Sequence, residues 1–207
     1  ARLANQLGAD LLEYKTYRAM AGYCVRANAH DYALQNCKAA LTIAERLKDS
    51  VRIASCWVGM AMSFSGMGQN ELAITYYRNA LPFTIAAGNI ERVGRIHTFI
   101  GWAYDGLGQV DSAIKYCEMG RLERGQAGYV DGVLATNGSL LGMYLRSGQY
   151  DKAREIAEHC VYIHDTMGNE NARDGCANWF GAIYEGEGRL DSAMNYYRIG
   201  MAHAERT

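Results

Sequence analysis

Proline is almost absent from this chain of 207 residues, with Pro82 the single example. Proline removes a backbone donor and breaks helices, so its scarcity leaves long helices uninterrupted. Runs rich in Val, Ile and Thr are few, which disfavours strands. No apolar stretch reaches the roughly 18–20 residues that span a bilayer, so no membrane helix or membrane partner is expected and the chain reads as soluble. Charge of one sign is missing too. The chain holds 21 Lys and Arg against 22 Asp and Glu, a formal net charge of −1 with a sequence pI of about 6.6. That balance creates no positive field to gather a phosphate backbone, which argues against nucleic acid. Charge drifts only mildly, from seven basic against five acidic residues in 1–50 to six against ten in 151–207. Six cysteines occur, but no two have the spacing of zinc or redox motifs, and no secretory signal pattern opens the chain. Reduced thiols and a cytoplasmic location are expected.

What is present is a repeat. The phrase Gly68-Gln69-Asn70-Glu71-Leu72-Ala73 returns as Gly108 to Ala113, Gly148 to Ala153 and Gly188 to Ala193, each 40 residues after the last. One interval earlier, Asn28-Ala29-His30-Asp31-Tyr32-Ala33 is a fifth copy with Asn in place of Gly. A second ladder runs Gly8, Lys48, Gly88, Gly128, Gly168, with Asp49, Asn89 and Asn169 following three of its members. Each unit therefore carries two turns. Between them lie segments of 16 to 18 residues with apolar spacings of three and four, such as Trp57, Met60, Ala61 and Phe64. These are helices. Gly supplies the left-handed conformation that ends one, and Asp31, Glu71, Asp111, Asp151 and Asp191 lie in the first turn of the next.

The chain thus reads as one all-α domain over 1–207, with hairpin repeats at about 11–48, 51–88, 91–128, 131–168 and 171–207. First helices are expected at about 11–26, 51–66, 91–106, 131–146 and 171–186, and second helices at about 30–47, 70–87, 110–127, 150–167 and 190–206. Ala33, Ala73, Ala113, Ala153 and Ala193 mark close helix crossings, where larger side chains overpack. Cys24, Cys37, Cys117 and Cys160 fall where other copies carry Tyr, Phe or Ala, and read as core. Pro82 predicts a kink or an early stop in its helix. Residues 1–8 align with the end of a second helix, which predicts a turn at Gly8 and a remnant of a preceding repeat.

An aromatic residue four places before the turn Gly (Phe64, Tyr104, Tyr144, Tyr184), together with the Ala five places after it, resembles the tetratricopeptide repeat. Trp57, Tyr77, Tyr197, Ala40 and Ala80 add matches, and the resemblance covers essentially the whole chain. The departures are the 40-residue interval, longer than the family's commonest unit, and the lack of its usual proline at the end of each second helix. Longer helices follow from that. The interval is similar to repeats of cell-polarity adaptors and of sensor arms in signalling ATPases. The resemblance implies a right-handed α-α superhelix of five helical hairpins, plus the end of a preceding helix, that binds a protein or peptide in a concave groove of first helices.

Carried over place by place, the resemblance puts Lys15, Arg18, Met62, Arg95, Thr98, Phe99, Trp102, Asp105, Arg146, Asn178, Trp179 and Glu185 in that groove, together with small Gly59, Gly138, Ser139 and Gly142. Phe99, Trp102 and Trp179 either anchor a partner or pack between repeats. The small residues leave room for an inserted side chain or serve close packing. Arg18 and Arg95 offer forked hydrogen bonds to carboxylates. The family's chaperone-tail clamp is not matched, because Gly22, Gly59 and Phe99 replace its two asparagines and last arginine.

Chemistry is sparse. His159 and His164 flank Cys160 on different helix faces, and His97 reads as core, so no catalytic residue, metal or cofactor is expected. A binding scaffold is the leading reading. A ligand-sensing arm of a larger ATPase or transcription regulator is the alternative, and exposed solenoid ends offer a route to self-association.

Overall fold

The computed structural model describes residues 2–169 and 175–204. Ten helices are found among them: α1 (Arg2–Arg26), α2 (His30–Arg46), α3 (Ser50–Gly66), α4 (Asn70–Ala86), α5 (Ile90–Gly106), α6 (Val110–Gln126), α7 (Val130–Arg146), α8 (Tyr150–Thr166), α9 (Ala177–Gly186) and α10 (Leu190–Ala204). Odd and even helices pair as hairpins, and each hairpin packs on the next through α2 and α3, α4 and α5, α6 and α7, and α8 and α9. The result is a solenoid. Helices α2 to α8 are each 17 residues long, so two helices and two three-residue turns account for the interval of 40.

The turns close as the ladders predict. Gly68, Gly88, Gly108, Gly128, Gly148, Gly168 and Gly188 all have positive φ, between 64° and 76°. Asn28 and Lys48 hold the same conformation at 60° and 53°, with Lys48 strained because its Cβ crowds the backbone there. After Gly68, the Gln69 amide donates back to the Phe64 carbonyl at 2.9 Å and satisfies a helix-end acceptor. Asp49 and Asn89 cap the following helices, each side chain accepting from the amide three residues on at 2.9 Å.

The repeated alanines lie at helix crossings. Ala33, Ala73, Ala113 and Ala153 are fully enclosed, and Ala193 nearly so. Phe64, Tyr104 and Tyr184 each pack on a tyrosine twelve residues later, Tyr76, Tyr116 and Tyr196, at centroid separations of 4.8, 5.4 and 5.3 Å. Such pairs contribute about 0.5–1.5 kcal/mol beyond their buried area. In the fourth unit Ile156 takes the second place, and Tyr144 instead donates to Glu118 at 3.1 Å. A third glycine ladder, Gly66, Gly106 and Gly186, leaves space for His30, Asn70 and Tyr150 from the preceding second helices. It shares the interval of 40 and is legible in sequence once looked for.

Three expectations need correction. No turn occurs at Gly8: α1 runs unbroken from Arg2 to Arg26, and no separate remnant helix precedes the first hairpin among the described residues. Nothing lies within 4 Å of a Cβ built on Gly8, so no packed neighbour forces a turn there. Helix α4 does not stop early, because Pro82 is exposed and the helix continues to Ala86. Solvent can reach the carbonyl left without its donor. The fifth first helix begins at Ala177 rather than near 171, and residues 170–174 lie outside the described ones. Among the described residues no helix is long and apolar enough to cross a membrane.

Candidate functional site

The first helices form a row. α1 approaches α3, α5 approaches α7, and α7 approaches α9, whereas α3 and α5 stand further apart. Between those two a cavity of about 190 Å³ opens, lined by Arg18, Ala54, Ser55, Val58, Thr84, Arg92, Arg95 and Ile96. A second hollow of about 170 Å³ shares Ala54, Thr84 and Arg92 with it, so the two form one furrow. Thr84 on α4 is its floor, and its hydroxyl is already spent on the Ala80 carbonyl at 2.9 Å.

Arg18 reaches the furrow from α1. Its Nη1 donates to Cys37 Sγ at 3.3 Å, and a Cβ built on Gly59 would stand 2.4 Å from that nitrogen. Gly59 therefore admits the guanidinium rather than a ligand, which settles that small residue in favour of packing. The groups around Arg18 are neutral. Burial pushes the Cys37 thiol up, and pushes Cys56 and Tyr14 each up to about 12. None of them supplies a counter-charge.

Next along the row lies an aromatic step. Phe99 stands 5.6 Å from Tyr77 and 5.3 Å from Trp102, between the core and the surface. Trp102 keeps 41% of its surface exposed, and its indole Nε1 donates to Ser139 Oγ on α7 at 2.9 Å. Beside Ser139, Gly138 has nothing within 4 Å of where a Cβ would be, and Gly142 meets only the end of Arg146 at 3.5 Å. Here the small residues do leave room. Asp105 and Arg146 close this stretch with an ion pair between α5 and α7.

The structure thus brings Arg18 to Arg95, Phe99 to Trp102, and Asp105 to Arg146. Lys15 and Met62 are exposed on α1 and α3. Trp179 is half-buried and packs on the core cluster around Leu140 and Ile183, so it acts between repeats. Asn178 lies at the α9–α10 crossing, its Oδ1 2.1 Å from a Cβ built on Gly200, and Glu185 accepts from Tyr197 at 2.6 Å. Thr98 is buried, sharing a 3.3 Å hydroxyl contact with Thr136. Arg92 is a lining residue that place-by-place transfer missed. Its separation of three from Arg95 sets both on one helix face and is the signal that finds it.

The remaining polar groups are structural. His97 is buried and its Nδ1 lies 2.7 Å from Glu123 Oε2. Asn137 donates to Cys160 Sγ at 3.3 Å and faces His159 Nδ1 at 3.4 Å. Among the described residues no group of three His, Cys, Asp or Glu is placed to hold a metal ion.

The sequence pattern of the tetratricopeptide repeat family matches residues 54–81 and 94–118. No curated protein matches the chain. Among solved structures it is similar to the nearly identical TPR-like repeats of a protein described as a kinesin light chain from Podosopora anserina. That likeness has 16% identity and a TM-score of 0.79, over 93% of this chain and 95% of that one. It is also similar to aspartyl phosphate phosphatase F from Bacillus subtilis, at 14% identity and a TM-score of 0.74, over 93% of this chain and 60% of that one. A third likeness is to a Rap protein complexed with competence and sporulation factor, at 16% identity and a TM-score of 0.66, over 94% of this chain and 65% of that one. The chain spans less than two thirds of these last two. At such identities the likeness shows the fold. Residues 54–81 and 94–118 are tetratricopeptide repeats, and the chain as a whole folds as a tetratricopeptide-like solenoid.

Proposed function

We propose that the row of first helices is a non-catalytic binding surface for an extended segment of a partner protein. The observation that carries this reading is Trp102, a large aromatic left 41% exposed beside the open backbone of Gly138. Leaving an indole in water forgoes burial energy, and exposed aromatics in such settings are the usual energetic anchors of interfaces. Support comes also from the tetratricopeptide repeats, since proteins built from them generally bind proteins or peptides. The His97–Glu123 pair is enclosed against Tyr116 and offers no open acid–base site.

The test is affinity capture with the wild-type chain and Trp102→Ala in parallel. Truncating an anchor costs about 2 kcal/mol or more, at least a tenfold loss of affinity, with folding unchanged. Undiminished capture by Trp102→Ala removes the groove from consideration.

A second reading, a peptide-sensing arm of a larger regulator, is favoured by one comparison. The Rap protein whose fold this chain resembles was solved with competence and sporulation factor bound, and this chain spans 65% of it. A catalytic or DNA-binding domain encoded beside these repeats distinguishes that reading from a free-standing scaffold. Self-association has a candidate face in Leu190, Met194 and Met201 of α10, each more than half exposed. Light scattering across concentrations checks it, and a strict monomer speaks against it.

A further inference from the structure

The furrow between α3 and α5 has an unusual charge balance. Three arginines line it and no carboxylate does, in a chain whose total charge is −1. The guanidinium groups of Arg92 and Arg95 make no hydrogen bond or ion pair among the described residues, whereas Arg46, Arg52, Arg121, Arg146 and Arg154 each have a carboxylate partner. Arg18 has only the protonated Cys37 thiol, a weak acceptor. The positive region extends further on one side. Arg124 is buried and bonds Thr136, and its charge is opposed by Arg95 and supported by Glu91. Glu91 thus answers Arg124 and is not among the lining residues.

The walls between these cations are apolar, formed by Ala54, Val58 and Ile96. A short aliphatic stem ending in an acid matches that pattern. The cavity volume of about 190 Å³ takes such a side chain with a few waters, each of roughly 30 Å³. A polyanionic backbone is a worse match, since it needs a broad positive field that the net charge denies. Resting on the groove reading above, we propose that this furrow is a subsite for a glutamate or aspartate side chain of the bound protein segment, gripped by Arg18, Arg92 and Arg95. Arginine's planar fork suits carboxylates, and partial burial strengthens each bond.

The experiment uses arrays of immobilised decapeptides, each printed in a Glu and a matched Gln version, probed with the wild-type chain, Arg92→Gln/Arg95→Gln and Trp102→Ala. The wild type is expected to favour Glu versions about tenfold, as loss of a charge-assisted bond implies. The double variant is expected to bind both versions alike while remaining folded by circular dichroism. A wild type indifferent to the swap, or a preference that survives in the double variant, overturns the proposal. If Trp102→Ala loses binding while the arginine variant keeps its preference for Glu, the groove reading stands and this one fails. If the wild type binds no peptide, both fail. Inorganic phosphate that abolishes the signal without any difference between Glu and Gln versions assigns the furrow to free anions and also overturns it.

Discussion

The α5–α6 hairpin and the α3–α5 boundary are built from the same repeat and end in opposite states, one shut and one open. At the hairpin, glycines bring two backbones together. A Cβ built on Gly120 would lie 2.5 Å from the Gly94 carbonyl oxygen, and one on Gly101 would lie 2.9 Å from that of Ala113. At the boundary no such pair exists, and arginines occupy the gap. Closure is therefore set by which side chains are missing, and openness by which charges are present.

The largest expected effect follows from the shut region. Gly120→Ala forces a methyl against backbone atoms that cannot rotate away, so about 3 kcal/mol of destabilisation is expected, read as a lower urea midpoint. Gly138→Ala is its control, since nothing lies within 4 Å of that Cβ. There the better helix propensity of Ala is expected to raise stability by up to about 1 kcal/mol. Equal effects at both positions break the comparison.

The shut region was legible in sequence and the open one only in part. The interval of 40 announced the turns, and Ala33 through Ala193 announced the crossings, because a position repeated in every unit performs the same packing task in every unit. Binding positions differ from unit to unit, so periodicity says where they lie and not what surrounds them. Place 98 shows the difficulty: it holds Arg18, Val58, Thr98, Gly138 and Asn178 in successive units. Transfer by place put Arg18, Thr98 and Asn178 on one surface. In the structure Arg18 lines the furrow, Thr98 is buried and Asn178 lies over Gly200, because the size of the facing residue decides where each chain can go. Gly8 failed differently. Its ladder position was right for a turn, but a glycine ends a helix only when packing favours the chain reversal, and nothing packs there.

Gly59→Ala probes the edge where the two regions meet. Its Cβ would meet Arg18 Nη1 at 2.4 Å and Cys37 Sγ at 2.7 Å, both side-chain atoms, so the structure can yield where Gly120 cannot. A cost of about 1 kcal/mol is expected, at the low end for overpacking. The more telling result is a loss of preference for acidic peptides, because Arg18 must move. A Gly59→Ala chain that keeps that preference excludes Arg18 from the grip.

The smallest effect has the opposite sign. Arg92 and Arg95 are three residues apart on α5, and like charges so placed cost a helix roughly 0.2–0.5 kcal/mol. Arg18 from α1 adds to that repulsion, and the nearby thiols are held protonated by burial and do not relieve it. Arg92→Gln/Arg95→Gln should therefore melt slightly higher than the wild type in low salt, with the gain shrinking as salt screens the charges. A bound acid should do the same to the wild type while adding its own contacts, so an acidic peptide is expected to raise the wild-type melting temperature and leave that of the variant unmoved. If the variant melts lower than the wild type at every ionic strength, the two arginines are stabilising the apo solenoid, and the furrow is held open by packing rather than by unanswered charge.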